Sequence, residues 1–240
     1  MTSVLITGVS GDLGTQLATH FLHKGCHVVG LDIRQPEGIE AEFGAQFEFR
    51  ACDLRCPDQI ETVLSGGEPA DIVINNAGVI HSAPLIRLVD GKLTCYDFER
   101  WREVIDVTLS AVFYVSAYCA AAMVSRSRKG LIVNISSICA AGNLGQPAYS
   151  AAKAGVNGLT VALAKELGPL GVRVAALAPG FIDTASTRKA VGEPTLKQIR
   201  GRTALRRLGK VEEFLKAIDF IVENAFFDGK ILELDGGLSL

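Results

Sequence analysis

Short apolar runs alternate with helical or loop patterning along the whole chain, at residues 4–7, 28–32, 47–52, 71–75, 131–135, 172–177 and 231–234. Runs this apolar must be buried on both faces, and runs separated by helices must lie parallel to one another. The expected fold is α/β, a doubly wound parallel sheet of about seven strands with helices on both faces. Ligands on such sheets collect at the carboxyl ends of the strands. Residues just after each run are therefore the ones to examine for chemistry.

At 240 residues, with 48% hydrophobic and 21% charged residues and a net charge of −2, the chain can bury one core and has no bulk attraction to nucleic acid. A single domain spanning residues 1–240 is expected. The N-terminus enters its first apolar run at once, with no basic region or cleavage site, and no apolar run reaches membrane length. A cytoplasmic protein without membrane association is expected. Cys26, Cys52, Cys56, Cys95, Cys119 and Cys139 lack CxxC pairing and fit reduced thiols. His20, His23, His27 and His81 lack the partners of a ligand set, so no metal is expected. Long helices are expected over 97–125 and 147–167, the second opening on Pro147. Residues 81–96 and 181–207 show little periodicity. The second carries Arg188, Lys189, Lys197, Arg200, Arg202, Arg206 and Arg207, and reads equally as a substrate lid or a solvated basic surface.

After the first run comes Thr7-Gly8-Val9-Ser10-Gly11-Asp12-Leu13-Gly14. Glycines at a helix start let the backbone approach a pyrophosphate, whose charge the free N–H groups favour, although such a turn also serves tight packing. Asp32 closes the second run 18 residues after Gly14, where a carboxylate bonds both ribose hydroxyls of NAD and repels the 2′-phosphate of NADP. Ile33 follows it. Asp53, flanked by Cys52 and Leu54, suits either the adenine amino group or a helix cap before Pro57. Asn75-Asn76-Ala77-Gly78 brings amides either to the cofactor crevice or to a tie between neighbouring strands. NAD(H) is the expected preference, with NADP(H) left open through Arg34.

Ser136-Ser137 follows the fifth run, and Tyr149 and Lys153 share one face of the next helix. An ammonium beside a phenol favours phenolate and lowers the tyrosine pKa, as an acid/base working near neutrality requires. Taken in order with Pro179-Gly180 and the terminal Asp235-Gly236-Gly237, these motifs make residues 2–240 resemble the short-chain dehydrogenase/reductase family. The resemblance is to its single-domain, Rossmann-like subclass, and within it to the 3-oxoacyl-carrier-protein reductases. It implies NAD(P)(H)-dependent interconversion of a secondary alcohol and a ketone. It further implies that Tyr149 is the general acid/base, that Ser137 holds the substrate oxygen, and that Lys153 binds the nicotinamide ribose and lowers the Tyr149 pKa. By the same resemblance Ile182 bonds the carboxamide through its backbone, Thr184 contacts the cofactor, and the segment after it closes over substrate.

Two positions depart from the family pattern. Asp12 stands where the family's TGxxxGxG has its middle glycine, and either caps the helix or repels the pyrophosphate. Thr108, in Thr108-Leu109-Ser110-Ala111-Val112-Phe113, stands where the family has an asparagine that holds a relay water, and its hydroxyl offers fewer bonds. The implied substrate is a small alcohol or ketone such as a 3-oxoacyl thioester. Arg126, Arg128 and Lys129 either steer an acidic acyl carrier protein or are solvated helix-end charge. Small residues over 117–122 and 151–155 either pair helices in a homotetramer or dimer, as in the family, or pack on the chain's own sheet. A non-catalytic dinucleotide-binding or scaffold protein is the rival reading, which Asp12 and Thr108 favour and which Ser137, Tyr149 and Lys153 oppose.

Overall fold

The computed structural model describes residues 1–238. Its strands are β1 (Ser3–Thr7), β2 (His27–Asp32), β3 (Phe47–Ala51), β4 (Ile72–Asn75), β5 (Ile86–Val89), β6 (Lys92–Cys95), β7 (Gly130–Ile135), β8 (Val172–Pro179) and β9 (Ile231–Leu234). Seven of them form one sheet in the order β3-β2-β1-β4-β7-β8-β9, with every pair parallel. The helices are α1 (Asp12–His23), α2 (Ile39–Phe43), α3 (Pro57–Leu64), α4 (Phe98–Ile105), α5 (Ala111–Ser125), α6 (Pro147–Leu167), α7 (Ala185–Val191), α8 (Glu193–Arg202) and α9 (Val211–Glu223).

Alternate residues of each central strand face opposite layers, which is why both sides of the runs are apolar. Val4 and Ile6 of β1, Ile74 of β4 and Val133 of β7 pack with Leu17 and Phe21 of α1 and Phe214 and Ile218 of α9. Leu5, Val73 and Ile132 of the same strands pack with Ile60 of α3, Val115 and Met123 of α5 and Ala164 of α6. A polar string crosses the second layer. Asn75 Nδ2 donates to Ser116 Oγ at 3.0 Å and to Asn134 Oδ1 at 2.9 Å, and Asn134 Nδ2 donates to Thr160 Oγ1 at 2.9 Å. Asn75 thereby ties β4 to β7 and to the helices above them.

Three features differ from expectation. The helix expected over 97–125 is interrupted by a π-helical turn at Asp106–Ser110, between α4 and α5. Across Phe98–Ser125 its most apolar window has a mean hydropathy of 1.8, so by length and composition it meets the membrane requirement that no run was expected to meet. Its apolar side chains lie against the sheet, with 44% of that window buried inside the fold. Within 81–96, β5 and β6 form an antiparallel hairpin turned by Asp90 and Gly91, both at positive φ (49° and 75°), as a two-residue type I′ connection requires. Residues 181–207 contain α7 and α8. Leu196, Ile199, Leu208 and Leu238 give this region a small apolar cluster of its own.

The buried polar string makes a stability prediction. Asn134→Ala deprives both Asn75 and Thr160 of a partner in the interior, and should cost about 1–3 kcal/mol. A lower midpoint in urea unfolding, with an unchanged slope, is the expected result.

Candidate active site

The turn after β1 is pinched between two strand ends. Gly8 has φ +66°, and a Cβ on it would lie 2.8 Å from Ala77 Cα. A Cβ on Gly14 would lie 2.0 Å from the Gly8 carbonyl oxygen, so α1 starts in contact with the turn. The hydroxyl of Thr7 accepts from the N–H groups of Asn76 (3.0 Å) and Ala77 (3.1 Å), and Asn76 Nδ2 donates to the carbonyls of Thr7 and Gly8, both at 3.1 Å. At the tip of β2, the Asp32 carboxylate accepts from Ser10 N (3.0 Å) and Ile33 N (2.7 Å) and is thereby aimed across the turn. The result is a cavity of about 560 Å³. Gly8, Ser10, Gly11, Leu13, Gly14, Asp32, Ile33, Cys52, Asp53, Leu54, Asn76, Ala77 and Gly78 all line it.

Two residues do something other than cap a helix. Cys56 is the N-cap of α3, and Asp53 instead pairs with Arg55, whose Nε lies 2.9 Å from Oδ1 and whose guanidinium holds the carboxyl below its usual range. Gly11 is the N-cap of α1, and Asp12, the first helical residue, makes no cap bond. Its carboxylate accepts from the Ser186 N–H at 2.6 Å, and that bond holds it below the usual carboxylate range. Asp12 is absent from the walls of both cavities.

A second cavity, of about 500 Å³, adjoins the first and shares Leu13, Asn76, Gly78, Ile80 and Ser186 with it. Ser137, Tyr149, Lys153, Pro179, Gly180, Ile182 and Thr184 line it together. Ser137 stands just beyond β7, where its Oγ accepts from Cys139 N at 3.1 Å. Lys153 is buried under α6, with Nζ donating to the Ile135 carbonyl at 2.5 Å and lying 5.6 Å from the centre of the Tyr149 ring. Burial pushes the ammonium down from its ordinary 10.5 to about 8. Although one side of the Tyr149 ring faces the cavity, burial pushes its phenol up, the Cys139 thiol adds to this, and a hydrogen bond with Ser137 opposes it. The lowering expected from Lys153 is not found, and burial sets the direction. Among its own neighbours, then, the Tyr149 phenol is held protonated.

Thr108 sits in the π-helical turn, fully buried. Its Oγ1 accepts from Val79 N at 3.1 Å and donates to Val79 O at 3.3 Å. Both roles of the hydroxyl are spent on backbone next to Gly78. Ser82, Cys139 and Gln146, which the sequence reading missed, also line the second cavity, and Gln146 Nε2 donates to Ser82 Oγ at 3.0 Å. The signal for Gln146 was its place directly before Pro147, one turn ahead of Tyr149. Ser82 had none, lying in the aperiodic segment.

The profile of a family described as short chain dehydrogenase matches residues 2–194. The chain belongs to that family. A 3-oxoacyl-(acyl-carrier-protein) reductase of Chlamydia trachomatis is 32% identical over 99% of this chain and 97% of its own. A structure of 4-hydroxyisoleucine dehydrogenase complexed with NADH aligns with a TM-score of 0.89 at 27% identity, covering 99% and 98% of the two chains. An NADP-bound protein from Agrobacterium tumefaciens aligns at 0.87 and 31% identity, covering 98% and 95%. This short-chain dehydrogenase is an NAD(P)-dependent oxidoreductase acting on a secondary alcohol or ketone.

The burial of Lys153 sets a pH dependence. Its folded pKa of about 8 lies below its ordinary 10.5, so between these values the unfolded chain holds a proton the folded chain lacks, and stability rises with pH across that window. Lys153→Met should abolish this rise. Urea midpoints measured for both proteins from pH 7.5 to 10.5 check it, wild type gaining on the variant as pH increases.

Proposed function

We infer that this short-chain dehydrogenase interconverts a small neutral ketone and its alcohol, prefers NAD(H), and uses Tyr149 as general acid/base. The observation that carries the reading is the wall common to the two cavities, at Leu13, Asn76 and Gly78. It sets Ser137, Tyr149 and Lys153 beside a groove in which Gly8 and Gly14 leave no room for a Cβ, a cradle suited to a dinucleotide. When bound there, the nicotinamide supplies or accepts the hydride.

The chain's own residues do the rest. Ser137 and Tyr149 hold the carbonyl oxygen between their hydroxyls, and in reduction Tyr149 gives that oxygen its proton, which suits a phenol held protonated by burial. Lys153, fixed by the Ile135 carbonyl, holds the nicotinamide ribose and compensates the phenolate left behind. Pro179, Gly180, Ile182 and Thr184 position the carboxamide end. Thr108 braces Val79 and Gly78 against the site, in place of holding a relay water. Asp32 receives the adenosine ribose hydroxyls on the lone pairs its backbone bonds leave free. Its charge disfavours a 2′-phosphate, against which the competing cation is the exposed Arg34 of the same cavity.

Among the described residues that line the substrate cavity, Lys153 alone carries a charge, which favours a neutral substrate. A 3-oxoacyl thioester meets this description, and the activity named for the Chlamydia relative supports it. Carrier-protein steering is less well supported: Arg126 pairs with Glu68 at 2.9 Å and Arg128 with Asp71 at 2.6 Å, leaving Lys129 as the remaining cation of that patch. We assign residues 1–240 to one catalytic domain with a lid at 181–207, since Thr187, Ala190 and Val191 of α7 wall the substrate cavity. A cytoplasmic setting accords with the free cysteines. A homotetramer or dimer is supported by the small or apolar exposed side chains Phe113, Ala117 and Ala121 of α5 and Ala151 and Ala154 of α6.

Tyr149→Phe should retain dinucleotide binding and lose about 10²–10⁴-fold in kcat, the worth of a positioned acid/base. Near-normal turnover would remove Tyr149 from the chemistry. Asp32→Ala should shrink the ratio of kcat/KM for NADH over NADPH on one ketone, and a wild-type preference for NADPH would overturn the role given to Asp32.

A further inference from the structure

We propose that Asp12 is a positioning residue for the substrate cavity, latching α7 over the site from the dinucleotide side. The proposal rests on reading 181–207 as a lid.

Helix α7 buries none of its residues fully, and of its side chains only Val191, at its far end, packs on the apolar cluster of α8. Its cap is local: Thr184 Oγ1 accepts from Thr187 N at 3.2 Å. Its ion pair is local too, Arg188 Nε meeting Asp183 Oδ1 at 2.6 Å. What joins α7 to the sheet-bearing body is the hydrogen bond from Ser186 N to Asp12 Oδ2 at 2.6 Å, across 174 positions of sequence, with the Ser186 and Thr184 hydroxyls turned to the same carboxylate. First-turn N–H groups have no partner within their own helix, so this carboxylate satisfies a donor the helix cannot. The bond is charge-assisted, because Asp12 is held below the usual carboxylate range and is ionised at neutral pH.

The two ends of the bond differ in rigidity. Asp12 opens α1, whose Gly14 is pressed against the Gly8 carbonyl and whose Leu17 and Phe21 are in the main core. Ser186 belongs to both cavities, and Thr187, Ala190 and Val191 behind it wall only the substrate side. Holding Ser186 against α1 therefore fixes where those three side chains stand relative to Tyr149. Losing the bond frees the wall without touching Ser137, Tyr149 or Lys153.

Hydrogen exchange on the full-length, unliganded chain tests this directly, comparing wild type, Asp12→Ala and Asp12→Asn. In Asp12→Ala, amides of 185–191 should exchange about tenfold faster, the equilibrium value of one charge-assisted bond. Asp12→Asn keeps an acceptor oxygen at the same place and should restore most of the protection. Peptides from the central strands should be unchanged in both, which reports that the variants fold. On a ketone the wild type accepts, Asp12→Ala should raise KM several-fold while kcat changes less. Protection of 185–191 in Asp12→Ala equal to wild type, or loosening that extends through the sheet, would overturn the latch. Exchange needs no turnover, so a failure of the oxidoreductase reading and a failure of the latch register separately.

Discussion

The hydroxyl of Thr7 and the side-chain amide of Asn76 knot together the ends of β1 and β4, and the site exists because of that knot. From β1 the chain departs to α1 on one face of the sheet, and from β4 it departs toward α4 and α5 on the other. Two strands that are neighbours in the sheet but send their connections in opposite directions leave a crevice between them. Gly8 and Gly14 keep the crevice narrow at its floor, and Asp32 looks into it from the next strand. The knot spends the polar groups of both turns on each other, so a crevice open to ligand does not leave them to be satisfied by it.

Tyr149 and Lys153 show how one helix can bring two ionisable groups under the same constraint. Placing Tyr149 and Lys153 four residues apart on α6 puts both under the end of β7, where burial opposes charge on each of them. The phenol is pushed toward its protonated form and the ammonium toward its neutral one. A phenolate and an ammonium are each unfavourable alone in such a place, and opposite charges this close would offset part of that cost. Burial thus ties the two charges to a single event.

The sequence disclosed the sheet because central strands of a doubly wound fold are apolar on both sides, and a run such as 131–135 has few alternatives. The β5–β6 hairpin escaped notice because its strands are exposed and short, although Asp90-Gly91 between Ile86-Arg87-Leu88-Val89 and Lys92-Leu93-Thr94-Cys95 was a legible turn. The π-helical turn left no local trace, and its Thr108 finds its partner in Val79, 29 positions away. The same holds for Asp12. Its departure from the glycine pattern was visible, but its partner lies 174 residues away, and neither a cap nor a repulsion described the bond it makes. A residue whose partner is remote backbone, as for Asp12 and Thr108, leaves no mark in its own neighbourhood of sequence.

The apolar cluster of Leu196, Ile199, Leu208 and Leu238 is separate from the two that sandwich the sheet. Helix α8 and the segments packed on it therefore draw their cohesion from a reserve of their own. Substitutions within it are taken up outside the two layers that flank the sheet. A methyl group added at Gly8 or Gly14 would have to be absorbed by backbone of the crevice floor, whereas a change of side chain in this cluster need be absorbed only by its few apolar neighbours.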